Sequence, residues 1–90
     1  MASRGRDAGI LVVEDDEQTR ELVRRELSRY GRPVRVAADL ASARSEIAER
    51  VPAATFLDVR LPDGDGIELL LDLRGRDPQA RVAMMTAYAD

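Results

Sequence analysis

Acidic side chains carry whatever chemistry this chain can do. Glu14, Asp15 and Asp16 stand side by side directly after the apolar run Ile10 to Val13, Asp58 closes "ATFLD", and Thr86 closes "ARVAMMT". The 90-residue sequence has no histidine and no cysteine, and all 14 of its basic residues are arginine. These absences remove the imidazole base, the thiol nucleophile, the disulfide, the usual zinc site and the lysine of a Walker-type phosphate loop. Carboxylates and hydroxyls are what is left. Carboxylates brought together repel: at about 4 Å and an effective dielectric of about 20, each like-charge pair costs on the order of 4 kcal/mol before relaxation. A hard divalent cation held through oxygen relieves that cost. Magnesium suits such donors, because it takes one or two carboxylates, keeps several waters and leaves room for a phosphoryl oxygen. A carboxylate beside the ion can also act as a nucleophile that forms an aspartyl phosphate.

Positioning these acids falls to short alternating elements. Ile10 to Val13 is a continuous apolar run, which predicts a strand buried on both faces. From Asp16 the period becomes helical, with Thr19, Leu22, Val23, Leu27 and Tyr30 on one stripe and Gly31 suited to the C-terminus. Pro33 to Ala37 predicts a second strand. Asp39 can cap a second helix with Leu40, Ala43 and Ile47 as its apolar stripe, and Pro52 ends that segment. Ala54 to Asp58 is a third strand, "LPDGDG" (Leu61 to Gly66) a loop, Ile67 to Arg74 a third helix closed by Gly75 and Pro78, and Ala80 to Thr86 a fourth strand. Strand and helix in alternation favour an α/β fold, a parallel sheet covered by helices on both faces. In such sheets ligands bind beyond the carboxyl ends of the strands, where the strand order reverses. Glu14, Asp15, Asp58 and Thr86 would all meet there.

Each residue alone has a plainer reading. Asp16 is a natural helix N-cap, Asp58 a natural turn residue and Thr86 a natural strand end. The cluster persuades because independent strand ends supply its members. "DGDG" fails as an EF-hand: with Gly66 as the loop glycine, Leu61 would occupy the first ligand position, and leucine cannot ligate calcium. Gly64 and Gly66 are better explained by left-handed backbone and a tight start to the helix. Met84 and Met85 belong to strand packing.

Composition sets the outer limits. With 34% charged and 44% apolar residues, the chain is one ordinary globular domain at most. Its net charge of −3 leaves no footprint for nucleic acid. The opening "MASRGRD" lacks the apolar core of a signal peptide or anchor, and no apolar run reaches bilayer length. A cytoplasmic location without membrane association is the expectation.

"ILVVEDDEQTRELV", "FLDVRLPDGDGIELL" and "ARVAMMTAYAD" resemble, in order and spacing, three signature blocks of bacterial response-regulator receiver domains. The likeness covers nearly the whole chain, and the combination of blocks is highly specific. It implies the doubly wound, flavodoxin-like receiver fold, with residues 1–8 a flexible N-terminus. Residues 9–90 would be the N-terminal two-thirds to three-quarters of the domain, with four of its five strands. By this resemblance Glu14 and Asp15 are the acidic pair that binds Mg2+, with Asp15 the direct ligand. Asp58 is the phosphoacceptor beside the metal, Arg60 lends the metal its backbone carbonyl, and Thr86 is the switch hydroxyl. Asp16 falls one place beyond the pair and keeps its capping role.

The function so implied is a phosphoacceptor in two-component, phosphorelay signalling. A histidine kinase or phosphotransfer protein would donate the phosphoryl group to Asp58 with Mg2+, self-catalysis being the most the domain contributes. The output is expected to be transcriptional, with no direct nucleic-acid binding by this segment. The family pattern continues past the fourth strand to a lysine-bearing fifth strand and two more helices. This sequence stops at Asp90, so the expectation is a truncated receiver or part of a longer parent. With its last strand an unpaired edge, such a chain would be loosely folded, homodimeric or otherwise self-associated. Two rival readings stand beside this one: a non-phosphorylated interaction module with the same fold, and a magnesium-dependent phosphohydrolase. The hydrolase is the weaker, because no general acid or substrate cap is evident.

Overall fold

β1, Ile10–Val13, buries all four of its residues, which is why its sequence never alternates. In the computed structural model, which describes residues 9–85, β1 is an inner strand of a four-stranded parallel sheet. The expected flexible segment 1–8 and the expected switch hydroxyl Thr86 lie outside the described residues. β2 is Val34–Ala37, β3 is Ala54–Asp58 and β6 is Arg81–Met85. The chain steps from β1 to β2 on one side, then returns past β1 to β3 and β6 on the other. The strand order therefore reverses between β1 and β3, which makes their carboxyl ends the expected ligand crevice.

Helices cover both faces. Leu11, Val13 and Leu57 face a core built with Leu40, Ala43 and Ile47 of α2 (Leu40–Glu49) and Leu69 and Leu73 of α3 (Gly66–Arg76). On the Val12 side, α1 (Glu17–Ser28) packs mainly against β1 and β2. Its stripe is less covered than its spacing suggests. No residue of α1 is buried, and Leu22 and Tyr30 are 57% and 78% exposed. Among the described residues β6 is the outer strand on the β3 side, paired with β3 only.

Local chemistry sets the boundaries. Asp16, Asp39 and Asp65 cap α1, α2 and α3 by accepting from the amides of Thr19, Ser42 and Ile67. Gly31 adopts φ +80° just after α1, a conformation that favours glycine. α3 runs through Gly75 to Arg76, past the expected stop. One glycine in an exposed last turn is tolerated, whereas Pro78 forces extended backbone on Asp77, where the helix ends. The expected loop after Asp58 is also more ordered than predicted. Arg60–Leu61 (β4) and Gly64–Asp65 (β5) form a small antiparallel hairpin turned by Pro62 and Asp63.

Candidate functional site

The site is made by register. Val13 pairs with Ala37 on one side and Leu57 on the other. Glu14, the next residue, continues the ladder by donating its amide to the Ala37 carbonyl at 3.0 Å. Asp58 is the next residue after Leu57, so the two acids leave neighbouring strands side by side. Both are buried, at 5% and 6% exposure, while Asp15 beyond them is exposed. One carboxylate oxygen from each of Glu14, Asp15 and Asp58 lies within 4.8 Å of the others.

The backbone around these acids is held on every side. The Asp16 amide donates to Glu14 Oε2 at 2.9 Å, closing a tight turn at the end of β1. Arg20, one turn into α1, donates from Nη1 to the carbonyls of Glu14 (3.1 Å) and Asp15 (3.4 Å). The Arg60 amide donates to Asp58 Oδ1 at 3.3 Å. The Val59 amide reaches the carbonyl of Met85, the register partner of Asp58, also at 3.3 Å. Gly66 then passes so close behind Asp58 that an added Cβ would sit 2.1 Å from the Asp58 carbonyl oxygen. Its glycine identity is required by space and not by a positive φ, which belongs to Gly64.

Electrostatics favour a cation here. Burial pushes the Glu14 carboxyl above its ordinary value, the Asp16 amide opposes this, and the charges of Asp58 and Asp15 push it further up. A divalent ion among these oxygens would relieve both the burial cost and the repulsion, so the donor set fits a hard, oxygen-seeking metal. Asp16 behaves differently: hydrogen bonds from the Thr19 hydroxyl and amide hold its carboxyl below the usual range. Its Oδ2 serves α1, and it is not among the clustered acids.

Of the residues singled out from sequence, the structure brings together Glu14, Asp15 and Asp58. It sets Arg60 two residues beyond Asp58 at the start of the hairpin. Two contributors were not foreseen. Arg20 is one polar residue among several in α1, although its place one turn past the acids was a usable signal. Asp63, in the hairpin turn, accepts from the amides of Leu40 (2.8 Å) and Ala41 (3.0 Å), and those bonds lower its pKa. A small cavity between α2 and α3, lined by Arg44, Ile47, Leu69, Asp72, Leu73 and Arg76, shares no residue with the acidic cluster.

Comparison with known proteins gives a consistent result. The family model of the response regulator receiver domain matches residues 10–90. The photosynthetic apparatus regulatory protein RegA of Rhodobacter capsulatus is 32% identical over 88 residues, which is 98% of this chain and 48% of RegA. The chain thus spans about half the length of that relative. The response regulator TrrA of Thermotoga maritima, solved in complex with Mg2+ and beryllium fluoride, superposes with a TM-score of 0.84 at 28% identity, covering 92% of this chain and 72% of TrrA. A response regulator of Burkholderia pseudomallei, solved with a phosphorylated aspartic acid, a calcium ion and citrate, gives a TM-score of 0.83 at 28% identity, covering 93% and 49%.

Proposed function

This chain belongs to the response regulator receiver domains, signalling modules of two-component systems, and on that premise we propose that it accepts a phosphoryl group on Asp58. The observation that carries the reading is the convergence of Glu14, Asp15 and Asp58 within 4.8 Å at the carboxyl ends of β1 and β3. In the transfer, a carboxylate oxygen of Asp58 attacks phosphorus. The bond from phosphorus to the donor nitrogen of a kinase or phosphotransfer-protein phosphohistidine breaks, and the electron pair leaves with that imidazole.

Glu14, Asp15 and Asp58, with the backbone carbonyl of Arg60, would hold Mg2+. When bound, the ion supplies charge neutralisation for the phosphoryl oxygens. The chain's own contribution is positioning. The Arg60 amide fixes one Asp58 oxygen, Arg20 fixes the backbone of Glu14 and Asp15, and Gly66 lets α3 approach behind Asp58. Thr86 would donate its hydroxyl to the phosphoryl group and so bias the β6 surface toward a signalling state. The output in this reading is transcriptional. No helix among the described residues is long and apolar enough to cross a membrane, and we place the protein's work in the cytoplasm.

The test is mass spectrometry after incubation with a small phosphodonor and Mg2+. One added phosphoryl group, mapped to Asp58 and lost in Asp58→Asn, is the expected result. Phosphate on Asp63 or Asp65 with Asp58 unmodified would overturn the assignment. A chain that binds a partner but never takes phosphate would favour the interaction-module reading.

A further inference from the structure

We infer that Asp63 is a positioning residue for the metal-binding loop, clasping the β4–β5 hairpin to the first turn of α2. The inference rests on the reading of Glu14, Asp15 and Asp58 as a magnesium site. A hairpin with two residues per strand does not hold its shape alone. This one begins two residues after Asp58 and includes Arg60, whose carbonyl the proposed site requires.

The hairpin is anchored at three points. Leu61 is buried in the core that also contains Leu40. The Gly66 amide donates to the Val59 carbonyl at 2.6 Å. At the tip, the Asp63 carboxylate takes the amides of Leu40 and Ala41, one on each oxygen. Gly64 beside it packs directly on α2: a Cβ there would lie 2.6 Å from Leu40 Cδ1 and would have to displace that methyl group. The hairpin tip and the start of α2 are therefore fitted to each other.

α2 has an N-cap of its own. Asp39 already holds the Ser42 amide at 2.8 Å, as an ordinary N-cap does. The second acid comes from a segment 23 residues away from Leu40, and what it fixes is the hairpin. The clasp also closes a circuit. Ala37, at the end of β2, accepts the Glu14 amide, and a short backbone step further on lie the Leu40 and Ala41 amides that hold Asp63. Both halves of the acidic cluster are thereby tied to the same β2–α2 connection.

The experiment compares Asp63→Ala, Asp63→Asn and Asp39→Ala in the full chain, by calorimetric Mg2+ titration and amide hydrogen exchange without metal. Asp63→Ala should weaken Mg2+ binding about tenfold, the scale seen when a residue supporting a metal ligand is lost. It should also speed exchange at the Gly66 amide. Asp63→Asn, which drops the charge but keeps one acceptor oxygen, should recover a clear part of the affinity. Asp39→Ala should lower the melting temperature yet leave Mg2+ affinity unchanged. Equal affinity in Asp63→Ala and the parent would overturn the inference alone. So would equal weakening by Asp39→Ala, or an Asp63→Asn chain as weak as Asp63→Ala. A parent chain that takes no Mg2+ would overturn the site reading and this inference together.

Discussion

Glu14 and Asp58 leave adjacent parallel strands one residue after the register partners Val13 and Leu57, and both carboxylates are buried. Parallel pairing fixes this neighbourhood: a slip of one residue would turn every side chain of β1 to the opposite face, take Val13 out of the core it shares with α2 and α3, and part Glu14 from Asp58. The register that buries the core therefore also forces two like charges together. A core requirement and a site requirement are met by the same ladder.

That arrangement has a pH signature. A carboxyl whose folded-state pKa lies above its ordinary 4.5 keeps a proton the unfolded chain has released, so its contribution to stability falls as pH rises from 4.5 through the folded value. Asp16 and Asp63 act in the opposite sense, adding stability above 3.8 that is lost as pH falls through their lowered values. Glu14→Gln removes only the first contribution. Without divalent ions the variant should melt above the parent at neutral pH, and the gap should close as pH drops to 4.5 and below. A gap of constant size across that range would show that the Glu14 proton is not its source.

Adjacent acids should separate cleanly in function. Asp15→Asn should weaken Mg2+ binding strongly, since it removes a charge from the cluster. Asp16→Ala should lower the melting temperature through loss of the bonds to Thr19 and leave Mg2+ affinity nearly unchanged. Titration of both variants decides the register of the acidic run, because comparable metal loss from the two would contradict it.

The features legible from sequence were those set by neighbours along the chain. β1 and β3 stand where apolar runs meet acids, and Asp16 and Asp39 cap because each comes just before a helical period. The illegible ones depend on distant partners. Asp63 reads as a turn residue between proline and glycine, and only folding brings the α2 amides to it. Helical spacing showed which face of α1 is apolar, but not how little of it the sheet would cover, as Leu22 shows. Gly66 looked like a conformational glycine, and its actual reason is the Asp58 carbonyl behind it.

Burial on α3 should sort its leucines sharply. Leu73 is 1% exposed in the core, and Leu71 two residues earlier is 65% exposed. Leu73→Ala should cost about 2–5 kcal/mol, a large share of the roughly 5–15 kcal/mol that holds a small domain folded. Leu71→Ala should stay within about 0.5 kcal/mol of the parent. Urea unfolding measures both, and similar losses at the two positions would mean that the outer face of α3 is packed in solution.

The sharpest prediction concerns Gly66, because one atom there tests the link between backbone packing and site chemistry. Gly66→Ala places a methyl group 2.1 Å from the Asp58 carbonyl oxygen and 3.2 Å from Leu57 Cγ. Neither neighbour can yield easily, since Asp58 ends β3 in register with Met85 and Leu57 is fully buried. The start of α3 must move instead, which stretches the Gly66–Val59 bond and shifts the turn that carries Arg60. The cost should be about 1–3 kcal/mol of stability, typical of overpacking. Mg2+ affinity and the rate of phosphoryl uptake should both fall, because Arg60, whose amide orients Asp58, lies on the displaced turn. Leu73→Ala supplies the control: it destabilises at least as much, yet any chain still folded should bind Mg2+ as the parent does. If Gly66→Ala merely lowered the melting temperature and left affinity intact, the close approach behind Asp58 would serve packing alone.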